Sequence, residues 1–235
     1  MLVRQFFSNR AMLGLLVAYA ILMWVLDYAG GDVWFARFLY ALEGQQWLLR
    51  DHWLTQTVLH EGARSLNYIL VLAVLLTTLY YGLQATRYPT KARAYAALSL
   101  SLAASFFIVA YLKTITNVAC PWDLLAFGGS EPYIHYLQIK PSFLPYHRCF
   151  PAGHASVGFA WVALYFFFEK TAPTLRFSGL ALGLVAGSVL GMAQQLRGAH
   201  FLSHDLTTLL LCLGCARFCF MLFFKTETSR VAHTS

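Results

Sequence analysis

Two histidines of this chain stand where apolar stretches begin. His154 directly follows Gly153, and His200 comes three residues after Arg197. Lys113 lies at the end of a further apolar stretch. Ionisable side chains at membrane depth are costly, so each of these residues is a candidate for function. Together they predict one site that handles phosphate at a face of a membrane.

The residue types suit phosphoryl chemistry. Glycine lets backbone N–H groups come close to a ligand, and the N-terminus of a helix attracts anions. A phosphate held near Gly153 would lie within reach of His154 as a proton donor. Arg197 can hold two phosphate oxygens, and if helical it shares a face with His200. The imidazole of His200 can attack phosphorus as a nucleophile.

Two further residues allow a structural interpretation beside a catalytic one. Asp205 could hold the tautomer of His200 and stabilise its cationic form, or it could cap the last helix, and both can hold together. Lys113 could simply extend its ammonium group to the membrane surface. Beside the other two motifs, we interpret Lys113 as a phosphate ligand.

The composition is that of a membrane protein. Of the 235 residues, 59% are hydrophobic and 11% are charged, against about 25% charged residues in soluble domains. We expect one membrane-embedded domain over residues 1–235. The net charge of +7 comes mostly from short loops between apolar runs, which indicates control of topology and not nucleic-acid binding. The first apolar run has no small-residue cleavage site, so we expect a retained helix.

The apolar runs predict an all-α fold, because a helix needs about 20 mainly apolar residues to span a membrane. Six segments meet this requirement, approximately residues 11–28, 66–83, 95–113, 154–168, 177–196 and 206–224. We therefore predict a polytopic bundle of six transmembrane helices with both termini on one side.

Lysine and arginine indicate which side is cytoplasmic. One side carries them densely in short loops, as Arg4, Arg10, Arg87, Lys91, Arg93, Lys170, Arg176, Lys225 and Arg230. The other side carries Arg37, Arg50, Arg64, Lys140, Arg148, Lys113 and Arg197. By the positive-inside rule the first side, with both termini, is cytoplasmic. The candidate site then lies on the extracytoplasmic face.

Two polar segments are expected on that face. Residues 30–65 carry apolar and aromatic residues at helical spacing and predict amphipathic helices on the outer interface, where they would cover the site. Residues 114–150 are punctuated by proline and glycine and predict a long extracytoplasmic loop, whose aromatic residues favour an ordered lid. We place Arg64 at the surface or interface.

The order of the motifs resembles that of the type 2 phosphatidic acid phosphatase (PAP2) superfamily. The first motif of that family is Lys, six residues, then Arg-Pro; the second is Pro-Ser-Gly-His; the third is Ser-Arg, five residues, His, three residues, Asp. This chain has Lys113 with Cys120, then Pro-Ala-Gly-His at residues 151–154, then Arg197 with His200 and Asp205. The resemblance covers residues 66–224, including the six-helix organisation.

The resemblance implies a phosphatase that needs no metal and no other cofactor. It implies that His200 is the nucleophile that forms a phosphohistidine and that His154 protonates the leaving group. It also implies phosphoryl binding by Lys113, Arg197 and the backbone at Gly153.

The chain departs from the family pattern at several positions. Cys120 stands in place of the arginine of the first motif, and Arg148 could replace that phosphate ligand. Ala152 replaces the serine of the second motif, which removes one hydroxyl donor. Gln194 stands where the third motif has arginine, and Arg197 lies one turn later as a substitute.

The carboxylate of the third motif is also displaced. The family aspartate would fall at His204, and Asp205 is one residue further on. Either His204 supplies the contact that supports the nucleophile, or Asp205 orients His200 as the family pattern implies. With His204 as the nucleophile, Arg197 would lie seven residues before it, close to the family spacing of six. We prefer His200 as the nucleophile, because the flank Gly-Ala-His-Phe-Leu-Ser around it resembles the usual flank of the family nucleophile.

The five cysteines form two groups. Cys212, Cys215 and Cys219 share one face of the last span and suit packing, because metal ligation would need helpers that their neighbourhood lacks. Cys120 and Cys149 lie in the long loop, each beside a candidate site residue. In an oxidising compartment they could form a disulfide that ties the first motif to the second.

The preferred function is hydrolysis of membrane lipid phosphates at the outer leaflet of a bacterial inner (plasma) membrane. Candidate substrates are phosphatidic acid, phosphatidylglycerophosphate, polyprenyl pyrophosphate and lipid A phosphate, and the bilayer is the other expected partner. A phosphotransferase would use the same phosphohistidine. A transporter predicts repeats and broken helices near the midplane, which the sequence does not show. A non-catalytic member would be expected to lack His154 and His200, and both are present.

Overall fold

The computed structural model describes residues 7–224, and this part of the chain is helical. Its helices are α1 (Asn9–Met23), α2 (Gly31–Leu42), α3 (Ala63–Leu83), α4 (Pro89–Lys113), α5 (Ser156–Phe159), α6 (Ala163–Thr171), α7 (Arg176–Leu196) and α8 (Leu202–Phe224). Single turns of π-helix at Trp24–Tyr28 and of 3₁₀-helix at Pro121–Asp123, Leu125–Phe127, Ala160–Val162 and Pro173–Leu175 stand between them, with a longer π-helix at Leu54–Gly62. Within residues 7–224 there is no β-strand, only an isolated bridge between Leu124 and Glu131.

Five helices are long and apolar enough to cross a membrane. They are Asn9–Tyr28, Leu54–Leu83, Pro89–Lys113, Pro173–Leu196 and Leu202–Phe224. The apolar side chains of the first two are mostly on the surface, with 11% and 6% of their apolar windows buried inside the protein. A soluble protein rarely exposes apolar surface of this extent, so lipid must cover these helices. The chain is therefore an all-α membrane protein.

Side-chain contacts show that neighbouring helices run antiparallel. Tyr19 of α1 and Thr207 of α8 share a hydrogen bond of 2.9 Å. At the other end of the same pair, Arg217 donates from Nε to the carbonyl oxygen of Phe7, also at 2.9 Å. As a result, the end of α1 lies beside the beginning of α8. We call this end of the bundle the site end.

Helix α7 carries glycines at every fourth position, Gly179, Gly183, Gly187 and Gly191. The first three pack on the α5–α6 stretch, and Gly191 lies against Asp205 of α8. A Cβ atom on Gly183 would lie 2.4 Å from the backbone nitrogen of Val162. A Cβ atom on Gly187 would lie 2.1 Å from the ring of Phe159. The two backbones approach too closely for any larger residue on this face.

The fourth predicted span, residues 154–168, lies in the middle of the bundle. Its helical stretch, residues 156–171, is interrupted by the 3₁₀ turn Ala160–Val162 and is shorter than the ~20 residues of a typical span. Phe167 near its end packs on Tyr95 near the start of α4, with ring centroids 4.8 Å apart, so it runs antiparallel to α4. The count of six membrane spans stays a prediction.

The segment 30–65 differs from its prediction in the second half. Residues 31–42 form the separate helix α2, but Leu54 begins a membrane-length helix that continues to Leu83. The π-helix Leu54–Gly62 joins directly to α3, so the helix that contains the second predicted span begins at Leu54. The interfacial position of residues 54–65 stays a prediction.

Residues 114–155 contain no α-helix and are held to the bundle by polar contacts. Tyr133 donates its hydroxyl hydrogen to Asp27 at 2.7 Å, and the backbone N–H of Tyr136 donates to the same carboxylate at 3.2 Å. Within the loop, Lys140 forms an ion pair with Glu131 at 2.7 Å. The side of the membrane on which this loop lies stays a prediction. Three residues used to predict the orientation, Arg4, Lys225 and Arg230, lie outside the described residues.

Candidate active site

The site end brings residues of all three motifs together. Lys113 is the last residue of α4, and residues 151–154 precede α5. A Cβ atom on Gly153 would lie 3.3 Å from Nζ of Lys113, so the lysine side chain lies directly against this glycine. The charges of Lys113 and His154 both act on the imidazole of His200. These four residues form one cluster, as the motif order predicts.

The turn between α7 and α8 carries Arg197 and His200. Gly198 adopts a left-handed backbone conformation with φ +70°, which glycine adopts without steric cost. A Cβ atom there would also lie 2.5 Å from the ring of Trp47. Because the helix ends at Leu196 and the next begins at Leu202, Arg197 and His200 do not share a helical face, contrary to the prediction.

Arg197 is buried and is held by three neutral acceptors. Its Nε donates to the carbonyl oxygen of Arg50 at 2.7 Å, one Nη donates to Gln194 at 3.1 Å, and the other donates to Gln56. A guanidinium group has five N–H donors, so two remain for a ligand. No carboxylate is bonded to it among the described residues, which leaves its positive charge for an anion. Gln194, which stands at the position of the family arginine, therefore helps to hold Arg197, the residue that substitutes for that arginine.

His200 contacts His204 in the interior of the site end. Their Nδ1 atoms are 3.2 Å apart, and His204 is completely buried. Burial lowers the pKa of His200 well below its ordinary value of 6.5, and the charge of Lys113 acts in the same direction. The His200 ring is therefore neutral at pH 7, as a nucleophile requires.

Asp205 does not contact His200. Its Oδ2 accepts a hydrogen bond from Gln195 at 2.5 Å, and its carboxylate lies against Gly191 of α7. The expectation that Asp205 orients His200 is not met, because Asp205 is one residue beyond the position that faces the imidazole on α8. Asp205 is also not an N-cap, since α8 begins at Leu202.

His154 is oriented by residues that the sequence interpretation left out. Its Nε2 lies 2.7 Å from the carbonyl oxygen of Leu59, and its ring packs on that of His60 with centroids 4.5 Å apart. His60 and Gln56 both come from the π-helix before α3. The sequence pattern does not single out His60, because it lies in the segment 30–65 that is predicted to be interfacial, outside the predicted span of residues 66–83.

Asp32 of α2 is a second residue that supports the site and that the sequence analysis did not identify. It is buried and accepts hydrogen bonds from the backbone N–H of Ser203 at 3.1 Å, from the Ser203 hydroxyl at 2.5 Å and from Tyr136 at 3.0 Å. Burial raises the pKa of Asp32, while these hydrogen bonds oppose that shift. Asp32 thereby caps the beginning of α8 and fixes the turn that carries the histidines.

Arg148 is not part of the cluster. Its side chain is exposed, and its guanidinium lies 5.8 Å from the ring centroid of Tyr146. The buried Arg197 is the arginine that the fold brings to the site. The suggested replacement of the first-motif arginine by Arg148 thus has no support in these contacts.

Cys120 and Cys149 are joined by a disulfide, with Cα atoms 5.3 Å apart. The link connects the loop after Lys113 to the residues just before the second motif. Among residues 7–224, Cys120, Asp123 and Cys149 also form the one group of ligand types close enough for a metal ion. Because the disulfide engages both sulfurs, this group offers only the Asp123 carboxylate and does not fit a metal.

The membrane-length helices thus bring a lysine, an arginine and two histidines together at one end of the bundle, and these residue types can bind and transfer a phosphoryl group. The family model of the PAP2 superfamily matches residues 94–227, which is more than half of the chain. The chain belongs to this superfamily, and the resemblance seen in the motifs is confirmed. Members of the family are phosphatases, so the general activity is that of a phosphatase. No curated protein and no solved structure matches the chain.

Proposed function

We propose that this protein is a membrane lipid-phosphate phosphatase that works through a phosphohistidine at His200. The observation that carries the proposal is the contact of Nδ1 of His200 with Nδ1 of His204. If Nδ1 of His200 donates, its Nε2 has no hydrogen and presents a lone pair. Lys113 and Arg197 then supply the positive charge that holds the phosphoryl oxygens.

In the first step, Nε2 of His200 attacks phosphorus, and the bond from phosphorus to the leaving-group oxygen breaks. His154, which keeps its Nε2 hydrogen on the carbonyl oxygen of Leu59 and is protonated at Nδ1 when the phosphate anion is bound beside it, gives the Nδ1 proton to that oxygen and becomes neutral. The imidazole of His200, now bonded to phosphorus, becomes cationic. Throughout this step Nδ1 of His200 keeps its hydrogen and donates a hydrogen bond to Nδ1 of His204, which keeps the ring in place. In the second step, Nδ1 of His154 takes a proton from water, and the oxygen of that water attacks phosphorus. The bond from phosphorus to Nε2 of His200 breaks, which releases phosphate and returns His200 to its neutral form.

A membrane lipid is the substrate class that suits the position of the site. The cluster lies at the ends of membrane-length helices, where a phosphate headgroup would stand while its tail remains among lipids. Phosphatidic acid, phosphatidylglycerophosphate, polyprenyl pyrophosphate and lipid A phosphate all have this form. We place the site on the extracytoplasmic face of a bacterial inner membrane, because the basic loops at the opposite end favour the cytoplasm.

The test is phosphate release from a panel of these lipids by the purified protein, with and without a chelator. We expect release that the chelator leaves unchanged and that His200→Ala abolishes. We also expect His154→Ala to slow both departure of the leaving group and hydrolysis of the phosphohistidine, because His154 acts in both steps. Radiolabelled phosphoenzyme should accumulate where hydrolysis is slowed more than formation. Full activity of His200→Ala would contradict the proposal. Transfer of phosphate to a second lipid, seen by product analysis, would identify a phosphotransferase that uses the same intermediate.

A further inference from the structure

The π-helix Leu54–Gly62 holds residues of two motifs at once. The carbonyl oxygen of Leu59 accepts a hydrogen bond from His154 at 2.7 Å, and Gln56 accepts one from Arg197. π-Helical turns are rare and occur often at functional sites. The beginning of the second span is therefore a fourth segment of the site, beside the three motifs.

His60 of this segment reaches the site, and one of its ring nitrogens has no hydrogen-bond partner within residues 7–224. The His60 ring packs on His154, with centroids 4.5 Å apart and planes inclined by 35°. Its Nδ1 is buried and has no hydrogen-bond partner among the described residues. A buried polar atom without a hydrogen-bond partner is costly, so a position of this kind suits a ligand.

The charges around His60 select an anion. Arg197, Arg64 and Lys113 act on its ring with positive charge, and Glu61 alone acts with negative charge. Because Nε2 of His154 is engaged by Leu59, the other nitrogen of His154 serves the leaving group. A phosphate bound between Lys113 and Arg197, with its leaving oxygen at His154, would have an oxygen beside His60.

We propose that His60 is a further substrate-binding residue, with Nδ1 donating a hydrogen bond to a phosphoryl oxygen next to the leaving group. The inference rests on the proposed phosphatase function and adds a residue outside the three motifs. It also explains why a histidine stands at the start of the second span, where snorkelling would favour lysine or arginine.

Amide variants test the proposal, because the nitrogen of asparagine can occupy the position of Nδ1 and that of glutamine the position of Nε2. We expect His60→Asn to keep the KM for a lipid phosphate and the inhibition constant of vanadate within about threefold of the unmodified protein. We expect His60→Gln and His60→Phe to raise both by about tenfold or more, since hydrogen bonds to charged groups are strong, with a smaller change in kcat. His52→Asn is the matched control, because His52 is exposed on the neighbouring turn and its Nδ1 accepts from Leu54.

Equal constants for His60→Asn and His60→Gln would overturn the proposal, as would a folded His60→Phe variant with unmodified vanadate inhibition. The amide pair keeps the test valid even if His60→Phe does not fold. If the unmodified protein neither hydrolyses lipid phosphates nor binds vanadate, the phosphatase function itself fails. An active unmodified protein with unaffected variants removes only the role of His60.

Discussion

His204 takes the place of the aspartate that the PAP2 pattern has four residues after its nucleophile. A carboxylate at this position would accept the Nδ1 hydrogen of the imidazole and stabilise its cationic form. In this chain a second imidazole lies there, 3.2 Å from Nδ1 of His200. A neutral imidazole can still accept the hydrogen and fix the tautomer, although it adds no negative charge.

The first prediction follows from this exchange. His204→Phe keeps a ring but removes the acceptor, so we expect kcat to fall about 100-fold or more. His204→Asp restores an acceptor and should recover much of that loss. Phosphate release and phosphoenzyme formation, measured on the same lipid, check both variants.

Asp205→Asn is the matched control for the His204 variants. The asparagine can still accept the hydrogen bond that Asp205 receives from Gln195, so we expect a loss of less than about tenfold. A loss in Asp205→Asn as large as that in His204→Phe would instead assign the supporting role to Asp205.

The residues of the site could be predicted from the sequence only as far as the motifs extend. Lys113, Gly153, His154 and Arg197 were recognised because ionisable residues and glycine stand at the ends of apolar runs. His60 and Asp32 were not recognised, because their roles depend on how two distant helices meet the third motif. The choice between His204 and Asp205 also needed the turn geometry, since neighbouring residues on a helix point about 100° apart.

At the level of the elements, the glycine face of α7 determines how closely the helices approach. Gly183 lies against the backbone of Val162, and Gly187 lies against the ring of Phe159. In membranes small residues on a helix face allow backbones to pack closely, which replaces the hydrophobic driving force of water. This packing holds the α5 end, and with it His154, against the end of α7.

The second prediction concerns this helix contact. Gly183→Ala places a Cβ atom 2.4 Å from a backbone atom that cannot rotate away, so we expect a loss of about 1–3 kcal/mol of stability. Gly214→Ala is the matched control, because nothing lies within 4 Å of its Cβ position on α8. Thermal unfolding in detergent micelles compares the two. Equal melting temperatures for both variants would show that the contact is not tight.

Helix positions were predictable from apolar runs, but their limits were not. The helix that contains the second predicted span begins at Leu54, because a π-helix through Gln56, His60 and Glu61 joins it directly. The polarity of these three residues predicts a surface segment and does not show that they are helical. The α5–α6 stretch is shorter than a typical span. It lies among α4, α7 and α8, so its residues face protein on most sides. Hydropathy reflects only the composition of a segment, and it does not show whether a polar residue faces protein, lipid or water.

At the level of the whole molecule, the bundle has two chemically different ends. The site end carries the histidine cluster and the disulfide-linked loop, and the opposite end carries the short basic loops. A disulfide persists in an oxidising compartment, and basic loops favour the cytoplasm. These two arguments are independent and give the same orientation.

The third prediction is this orientation. Leu137 is 85% exposed in the loop at the site end, and Thr86 is exposed between α3 and α4 at the opposite end. With a membrane-impermeant maleimide, we expect Leu137→Cys to react in intact cells and Thr86→Cys to react only after the membrane is opened. The unmodified chain, whose Cys212, Cys215 and Cys219 lie in α8, gives the background. The reverse pattern would place the phosphate site on the cytoplasmic face, where the disulfide would be reduced and lipid phosphates of the inner leaflet would be the substrates.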